Sequence, residues 1–344
     1  MNKIISSIYS HIQDEESKAI FSNRLLYNVT NDERYLQTMI KESCVYNEFL
    51  ARFEKSKEKK AIFGAGILGE WFYEIFKDVD SFKIECFIDN KKSGNCKGIP
   101  IVPLEAYKEQ LKTSTIIICS WLYHEEQYEQ LLGLGVLKEN MIDVVEVVHQ
   151  IWNERQYFDL PEFNALRTEQ EVFIDGGCFN GQNSIRFQEW CNGTYQKIYA
   201  FEPDDKNYEN CKITFEESLE RGTYELFNCG LGEEKKVLKF KSDNNAGSKF
   251  TDSGENSIEV VCLDGLVKEK VSFIKFDIEG AECDAIQGAK ALIQEYKPKL
   301  AICVYHKPED IWEIPQLLLK YNPDYKFYFR HYSINEWETV LYAI

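Results

Sequence analysis

One stretch, EVFIDGGCFNG at residues 171–181, limits what this chain can fold into more than any other. Its apolar run (Val172, Phe173, Ile174) is long enough only for a short buried strand. It meets an acid, Asp175, then Gly176, Gly177 and Gly181, after which Gln182 to Trp190 can continue as a helix. Strand, tight glycine turn and helix open an α/β sheet whose ligands occupy the crevice beyond the carboxyl ends of the strands. Glycine in such a turn lets the backbone approach a ligand closely.

The alternation continues to the end of the chain. A second strand, Lys197 to Phe201, ends in Glu202-Pro203-Asp204. Glu202 therefore stands one βα unit beyond the glycine strand, where a carboxylate can accept from both hydroxyls of a ribose. A third strand, Tyr224 to Cys229, brings Asn228 to the same edge, near an adenine. Val271 to Phe276 is a buried strand carrying Asp277, Glu279 and Glu282, and Leu300 to Val304 is a fifth that ends at His306. Tyr325 to Arg330 and Thr339 to Ala343 alternate apolar and polar residues and predict a closing antiparallel pair. The polar segment 242–256 is long for a connection and has the character of a lid or binding loop.

A smaller α/β unit precedes this one, over residues 59–147. GAGILG (Gly64, Gly66, Gly69) lies between a strand and an amphipathic helix, and Asp89 follows about 20 residues on, as a dinucleotide-binding turn requires. Two readings stay open: a tentative second nucleotide site, with Asp89 on a ribose, or a turn kept only for helix–strand packing. Residues 1–58 carry helical apolar spacing and read as an appendage packing on the next domain or on a second subunit of a homo-oligomer. Residues 148–170 read as a linker. The fold class is α/β, two Rossmann-like doubly wound domains behind a helical N-terminal segment, the second domain spanning 171–344.

A net charge of −17 argues against a nucleic-acid partner, which wants a basic face. The eleven cysteines include no C-x-x-C pair and several sit inside apolar runs, which points to a reducing, cytoplasmic setting. The N-terminus lacks a signal-peptide core, and no run reaches the length of a membrane span. No ligand spacing demands a metal, although Asp277, Glu279 and His306 could converge.

DGGCFNGQN, AFEP, FIKFDIEGAE and KPKLAICVYHKPEDIWEIP, in that order at successive strand ends, resemble the FkbM-type methyltransferases dependent on S-adenosylmethionine (SAM). The resemblance covers about residues 155–344. It implies a seven-stranded methyltransferase core, SAM as cofactor and O-methylation of a hydroxyl on a sugar, glycan precursor or related small molecule. This chain carries Cys178 where the family often has alanine, and Asn180 or Gln182 where it often has a second acid. On this reading Asp175, Gly176, Gly177 and Gly181 shape the methionine pocket, Glu202 takes the ribose, and Asn228 and Asp277 complete the cofactor site. Glu279 and Glu282 line the acceptor side, and His306 is the preferred general base, with Asp277 the alternative. The 59–147 unit loosely resembles the small N-terminal domains of sugar-modifying enzymes, which implies a nucleotide or nucleotide-sugar handle. Two other functions compete: a nucleotide-sugar- or NAD-binding enzyme driven by that unit, and a non-catalytic binding module.

Overall fold

In a computed structural model, which describes residues 2–241, 249–250 and 256–344, the chain divides into two compact units. One comprises Met1–Leu36, Arg155–His331 and Glu336–Ile344; the other comprises Gln37–Glu154 and Tyr332–Asn335. The helical N-terminal segment is thus shared. Helices α1 (Asn2–His11) and α2 (Glu15–Thr30) belong to the larger unit, α4 (Cys44–Lys55) to the smaller, and α3 (Glu33–Lys41) runs across the boundary. Side-chain caps start two of these helices: Asp14 accepts from Ser17 N ahead of α2, and Ser43 accepts from Tyr46 N ahead of α4.

The smaller unit is a six-stranded sheet of β1 (Lys60–Phe63), β2 (Ile84–Ile88), β3 (Gly94–Cys96), β4 (Ile99–Val102), β5 (Thr115–Ile118) and β6 (Met141–Asp143), ordered β3-β4-β2-β1-β5-β6. All neighbours are parallel except β3 and β4. Those two form a hairpin because Lys97 and Gly98 both adopt left-handed backbone (φ 52 and 84). After β4 the chain makes only a 3-10 turn, Leu104–Tyr107. Helices α5 (Ile67–Phe76), α6 (His124–Gly133) and α7 (Val144–Glu154) complete the unit. Phe49 and Phe53 of α4 pack edge-on to Phe72 and Phe76 of α5, with centroids 5.0 to 6.2 Å apart, which welds α4 to this sheet.

The larger unit begins with α8 (Pro161–Ala165), β7 (Val172–Gly176), α9 (Gln182–Trp190), β8 (Lys197–Phe201), α10 (Asp205–Ser218) and β9 (Tyr224–Phe227). A small sheet follows, ordered β10-β13-β11-β12, from β10 (Gly230–Leu231), β11 (Lys236–Lys241), β12 (Lys249–Phe250) and β13 (Asn256–Val261). Residues 242–248 and 251–255 of the expected lid lie outside the described residues. Then come α11 (Leu263–Leu266), β14 (Phe273–Phe276), α12 (Glu282–Gln287), α13 (Lys290–Tyr296), β15 (Lys299–Cys303), α14 (Asp310–Tyr321), β16 (Phe327–His331) and β17 (Thr339–Ala343).

The main sheet has seven strands in the order β16-β17-β15-β14-β7-β8-β9. Five neighbouring strands, β15-β14-β7-β8-β9, are parallel, and β16 and β17 close the other side as the expected antiparallel pair. The chain runs outward from β7 to β9 and then returns to β14 on the other side of β7. The order therefore reverses between β7 and β14, and the carboxyl ends of these two strands frame the crevice. Among the described residues no helix is long and apolar enough to cross a membrane.

Candidate active site

The glycine turn is held from beneath by a buried cation. Lys275, in the middle of β14, pairs in register with Asp175 of β7, and its Nζ lies 3.1 Å from Asp175 Oδ1 with both side chains almost wholly buried. The same ammonium donates to the carbonyls of Gly176 (3.1 Å) and Gly177 (2.8 Å), while Ser184 Oγ donates to Asp175 Oδ2 at 2.8 Å. Asp175 was expected to face the ligand; it faces Lys275 instead, because a buried lysine on the neighbouring strand requires a counter-charge. The glycines divide their work similarly. A Cβ on Gly177 (φ 73) would lie 1.9 Å from the Asp277 carbonyl, so only glycine lets the turn press against the end of β14. Gly181 packs α9 on α10, where a Cβ would meet the Phe215 ring at 2.7 Å.

Glu202 stands at the end of β8, 5% exposed. Its two oxygens accept one backbone N–H each, from Phe179 (2.9 Å) and Asp204 (3.0 Å). Burial pushes its carboxyl up to about 7 despite these bonds. Asn228, at the end of β9, is exposed and donates to Asp205 Oδ1 at 2.6 Å.

Asp277 is the centre of the site. Tyr157 donates to its Oδ2 at 2.9 Å and Tyr305 to its Oδ1 at 3.2 Å, and His306 Nε2 lies 3.4 Å from Oδ1. Burial pushes the Asp277 carboxyl up, but Lys275 and His306 outweigh it and hold it below the usual range. His306 Nδ1 is 2.9 Å from Glu282 Oε1, which also accepts from Ile278 N at 2.9 Å. Glu282 is fully buried, so the acceptor-side role expected for it fails; α12 turns it inward against the imidazole. Glu279 is a third of the way exposed, with Oε2 3.8 Å from His306 Nε2. Burial alone would lower the His306 pKa; Glu282, then Asp277 and Glu279, raise it to about 9.

Sequence reasoning missed several members of this cluster. Tyr157 and Tyr305 donate to Asp277, Lys275 acts on it electrostatically, Tyr305 also lies 3.2 Å from Glu338 Oε1, and Gln156 Nε2 donates to Glu338 Oε2 at 2.6 Å. Only Lys275 carried a signal, as a charged residue inside an apolar strand. Arg24 of α2, 3% exposed, donates to the carbonyls of Glu336 and, at 3.4 Å, Tyr305, and Asn28 donates to the Pro308 carbonyl at 2.8 Å. The N-terminal helix thereby braces the loop that bears His306. Backbone strain also gathers here: of eight non-glycine residues with left-handed backbone among the described residues, Tyr157, Phe179, Glu279 and Glu338 belong to this site.

In the smaller unit the Gly64–Gly69 turn closes on itself. Cβ atoms on Gly64 and Gly69 would lie 2.4 Å from the Cys119 carbonyl and 2.0 Å from the Gly64 carbonyl, whereas Gly66 is open. Asp89 accepts from Ala65 N (3.1 Å), Lys91 N (2.8 Å) and Lys92 N (2.9 Å), which turns that acid toward its own loop.

Residues 180–331 match the family model described as the methyltransferase FkbM domain. That stretch of the chain is an FkbM-type methyltransferase domain. In fold and family the FkbM-type domain is a SAM-dependent methyltransferase, with Glu202, Asp277 and His306 inside the matched range. Among solved structures, an FkbM methyltransferase from Methylobacillus flagellatus is 18% identical, with 88% of this chain and 99% of that one covered and a TM-score of 0.49. A SAM-dependent methyltransferase from Aquifex aeolicus is 14% identical over 56% of this chain and 92% of its own, with a TM-score of 0.33. An rRNA methylase from Streptococcus thermophilus is 16% identical over 52% and 89%, with a TM-score of 0.34. No curated protein matches the chain.

Lys275→Met leaves Asp175 buried without its partner and should destabilise the protein by about 3–5 kcal/mol in denaturant unfolding. Adding Asp175→Leu should recover most of that loss; a double variant no better than the single one would contradict the ion-pair assignment. His306 gives a pH test. Its folded pKa of about 9 lies above the ordinary 6.5, so its stabilisation is complete below about pH 6.5 and is lost as pH rises through about 9. The stability gap between wild type and His306→Gln should close across that window, and a constant gap would refute the charged imidazole.

Proposed function

We propose that the C-terminal unit transfers a methyl group from SAM to a hydroxyl of a sugar, glycan precursor or related small molecule. The observation that carries this reading is Asp277: anionic, 25% exposed, at the end of β14, against the glycine turn and beside His306. The surrounding residues suit the donor. Each Glu202 oxygen accepts one backbone N–H and keeps a lone pair for a ribose hydroxyl, and hydroxyl donors there would offset the burial of that carboxylate. Gly176 and Gly177 supply backbone without side chains, and Asn228 stands at the adenine edge.

SAM supplies an electrophilic methyl on a sulfonium, which an oxygen displaces in line as the C–S electron pair returns to sulfur. The chain's task is to hold the acceptor hydroxyl in position and remove its proton. In the free protein His306 carries its own proton at neutral pH, because Glu282, Asp277 and Glu279 surround it. Asp277 is ionised in the same range and is the group able to accept a proton. This reverses the preference drawn from sequence: Asp277 is the base, and Glu282 and His306 form a fixed wall that orients it. Two partly exposed carboxylates, Asp277 and Glu279, suit the donors of an uncharged polyol and repel an anionic acceptor. A cytoplasmic setting is supported by the eleven cysteines, all of them free thiols.

SAM and its demethylated product S-adenosylhomocysteine (SAH), at about 100 times Kd, should each stabilise the protein by about 2.7 kcal/mol in thermal unfolding, and NAD and UDP-sugars should not. Asp277→Asn should retain SAH binding while losing about 10²- to 10⁴-fold in turnover on a hydroxylated acceptor found by screening. Absence of any shift with SAM and SAH, or full turnover in Asp277→Asn, would overturn the proposal.

A further inference from the structure

His306 turns a donor toward two acids without completing a hydrogen bond to either. Its Nδ1 lies 2.9 Å from Glu282 Oε1, so that nitrogen carries a hydrogen. Its Nε2 faces two more carboxylates, Asp277 Oδ1 at 3.4 Å and Glu279 Oε2 at 3.8 Å. A bare lone pair turned toward two anions would be repelled by both, so Nε2 carries a hydrogen as well. Both distances exceed an ordinary N–H···O bond of about 2.7–3.2 Å, and Nε2 has no hydrogen-bond partner among the described residues. The His306 side chain is only 7% exposed, against 25% for Asp277 and 33% for Glu279. A buried charged donor thus points between two acids that reach solvent, and such a donor is costly to leave unpaired. Left-handed backbone at Glu279 (φ 56) and Gly280 (φ 93) fixes the turn that carries the second acid.

We propose that the acceptor is a vicinal diol with gauche hydroxyls, recognised by Asp277, Glu279 and His306 together. This rests on the reading of the site as a hydroxyl methyltransferase. The first hydroxyl donates to Asp277 and is the oxygen that receives the methyl. Its neighbour accepts from His306 Nε2–H and donates to Glu279. A lone hydroxyl has one hydrogen and cannot satisfy both acids, whereas two adjacent hydroxyls can. The bond from the imidazolium belongs on the neighbour, because on the first oxygen it would draw on the lone pair that attacks the methyl. In the step itself the first O–H bond breaks, its proton joins Asp277, the O–C bond forms and the C–S pair returns to sulfur. The neighbouring hydroxyl keeps its hydrogen, and the product is the monomethyl ether of the diol.

Turnover of the full-length protein on matched acceptors tests this. Methyl glycosides and inositols, each paired with monodeoxy analogues, are incubated with SAM, and SAH release and the methylated position are measured. Each methylated oxygen should stand beside a free gauche hydroxyl. Replacing that neighbour by hydrogen should lower kcat/KM by about tenfold or more, because His306 and Glu279 are then left without their partner. Glu279→Gly is compatible with the left-handed backbone and removes the carboxylate. In that variant the discrimination between diol and deoxy analogue should shrink by about threefold or more, as coupled partners do. The diol assignment is overturned if the deoxy analogue is turned over as well as the diol, or if Glu279→Gly leaves the ratio unchanged. It is equally overturned if no diol of the panel is methylated while SAH binds by calorimetry. Absence of SAH binding instead overturns the methyltransferase reading beneath it.

Discussion

The contact between Lys275 and Asp175 underlies the rest of the larger unit. Two neighbouring parallel strands place a cation and an anion side by side in the interior, 3.1 Å apart. The desolvation penalty of such a pair is large and is offset only when the remaining donors and acceptors are satisfied. Most of them are: Ser184 donates to Asp175 Oδ2, and Lys275 donates to the first two carbonyls of the glycine turn, while Asp175 Oδ1 has the ammonium alone at 3.1 Å. Asp175 and Asp277 more than compensate for burial, so the ammonium stays charged. The turn is thus built on a fixed charge, and the same charge holds Asp277 ionised.

The site above it is an unusually acidic enclosure around a single imidazolium. Asp277, Glu279 and Glu282 lie within 4 Å of His306. Glu338 joins through Tyr305. Like charges so close cannot all ionise independently. The structure resolves the conflict by giving His306 its proton, keeping Asp277 low, and letting Glu338 rise to about 7. A sulfonium donor would add one more positive charge to this enclosure, which favours its binding and makes the proton on His306 easier to lose.

The strand-and-helix alternation was legible from sequence, because buried parallel strands are short apolar runs closed by acids and glycines. The closing pair β16–β17 and the placement of Glu202, Asp277 and His306 at or just beyond strand ends followed from that pattern, and the seven-strand sheet from the resemblance to the FkbM-type methyltransferases. Side-chain direction did not. Asp175 and Glu282 looked like site acids, yet each turns inward to a buried cationic group that only three-dimensional pairing reveals. Lys275 held a readable clue, since a lysine in VSFIKF must find a carboxylate on an adjacent strand. Tyr157 and Glu338 held none: they reach Asp277 from 120 residues before it and 61 after it, as their positions give. The tidier glycine fingerprint, Gly64 to Gly69, has a packing explanation in its clashes with the Cys119 and Gly64 carbonyls. The sharing of the N-terminal helices between units was equally invisible, because apolar spacing tells that a helix is buried and not against what.

On the proposed reading, methyl donor and base meet in the crevice between β7 and β14. A crystal structure of the protein with SAH tests it most directly. The account predicts the ribose on Glu202, the homocysteine along Gly176 and Gly177, and the sulfur facing Asp277. SAH bound instead at the Gly64–Gly69 turn, or in the crevice with its sulfur directed away from Asp277, would contradict it.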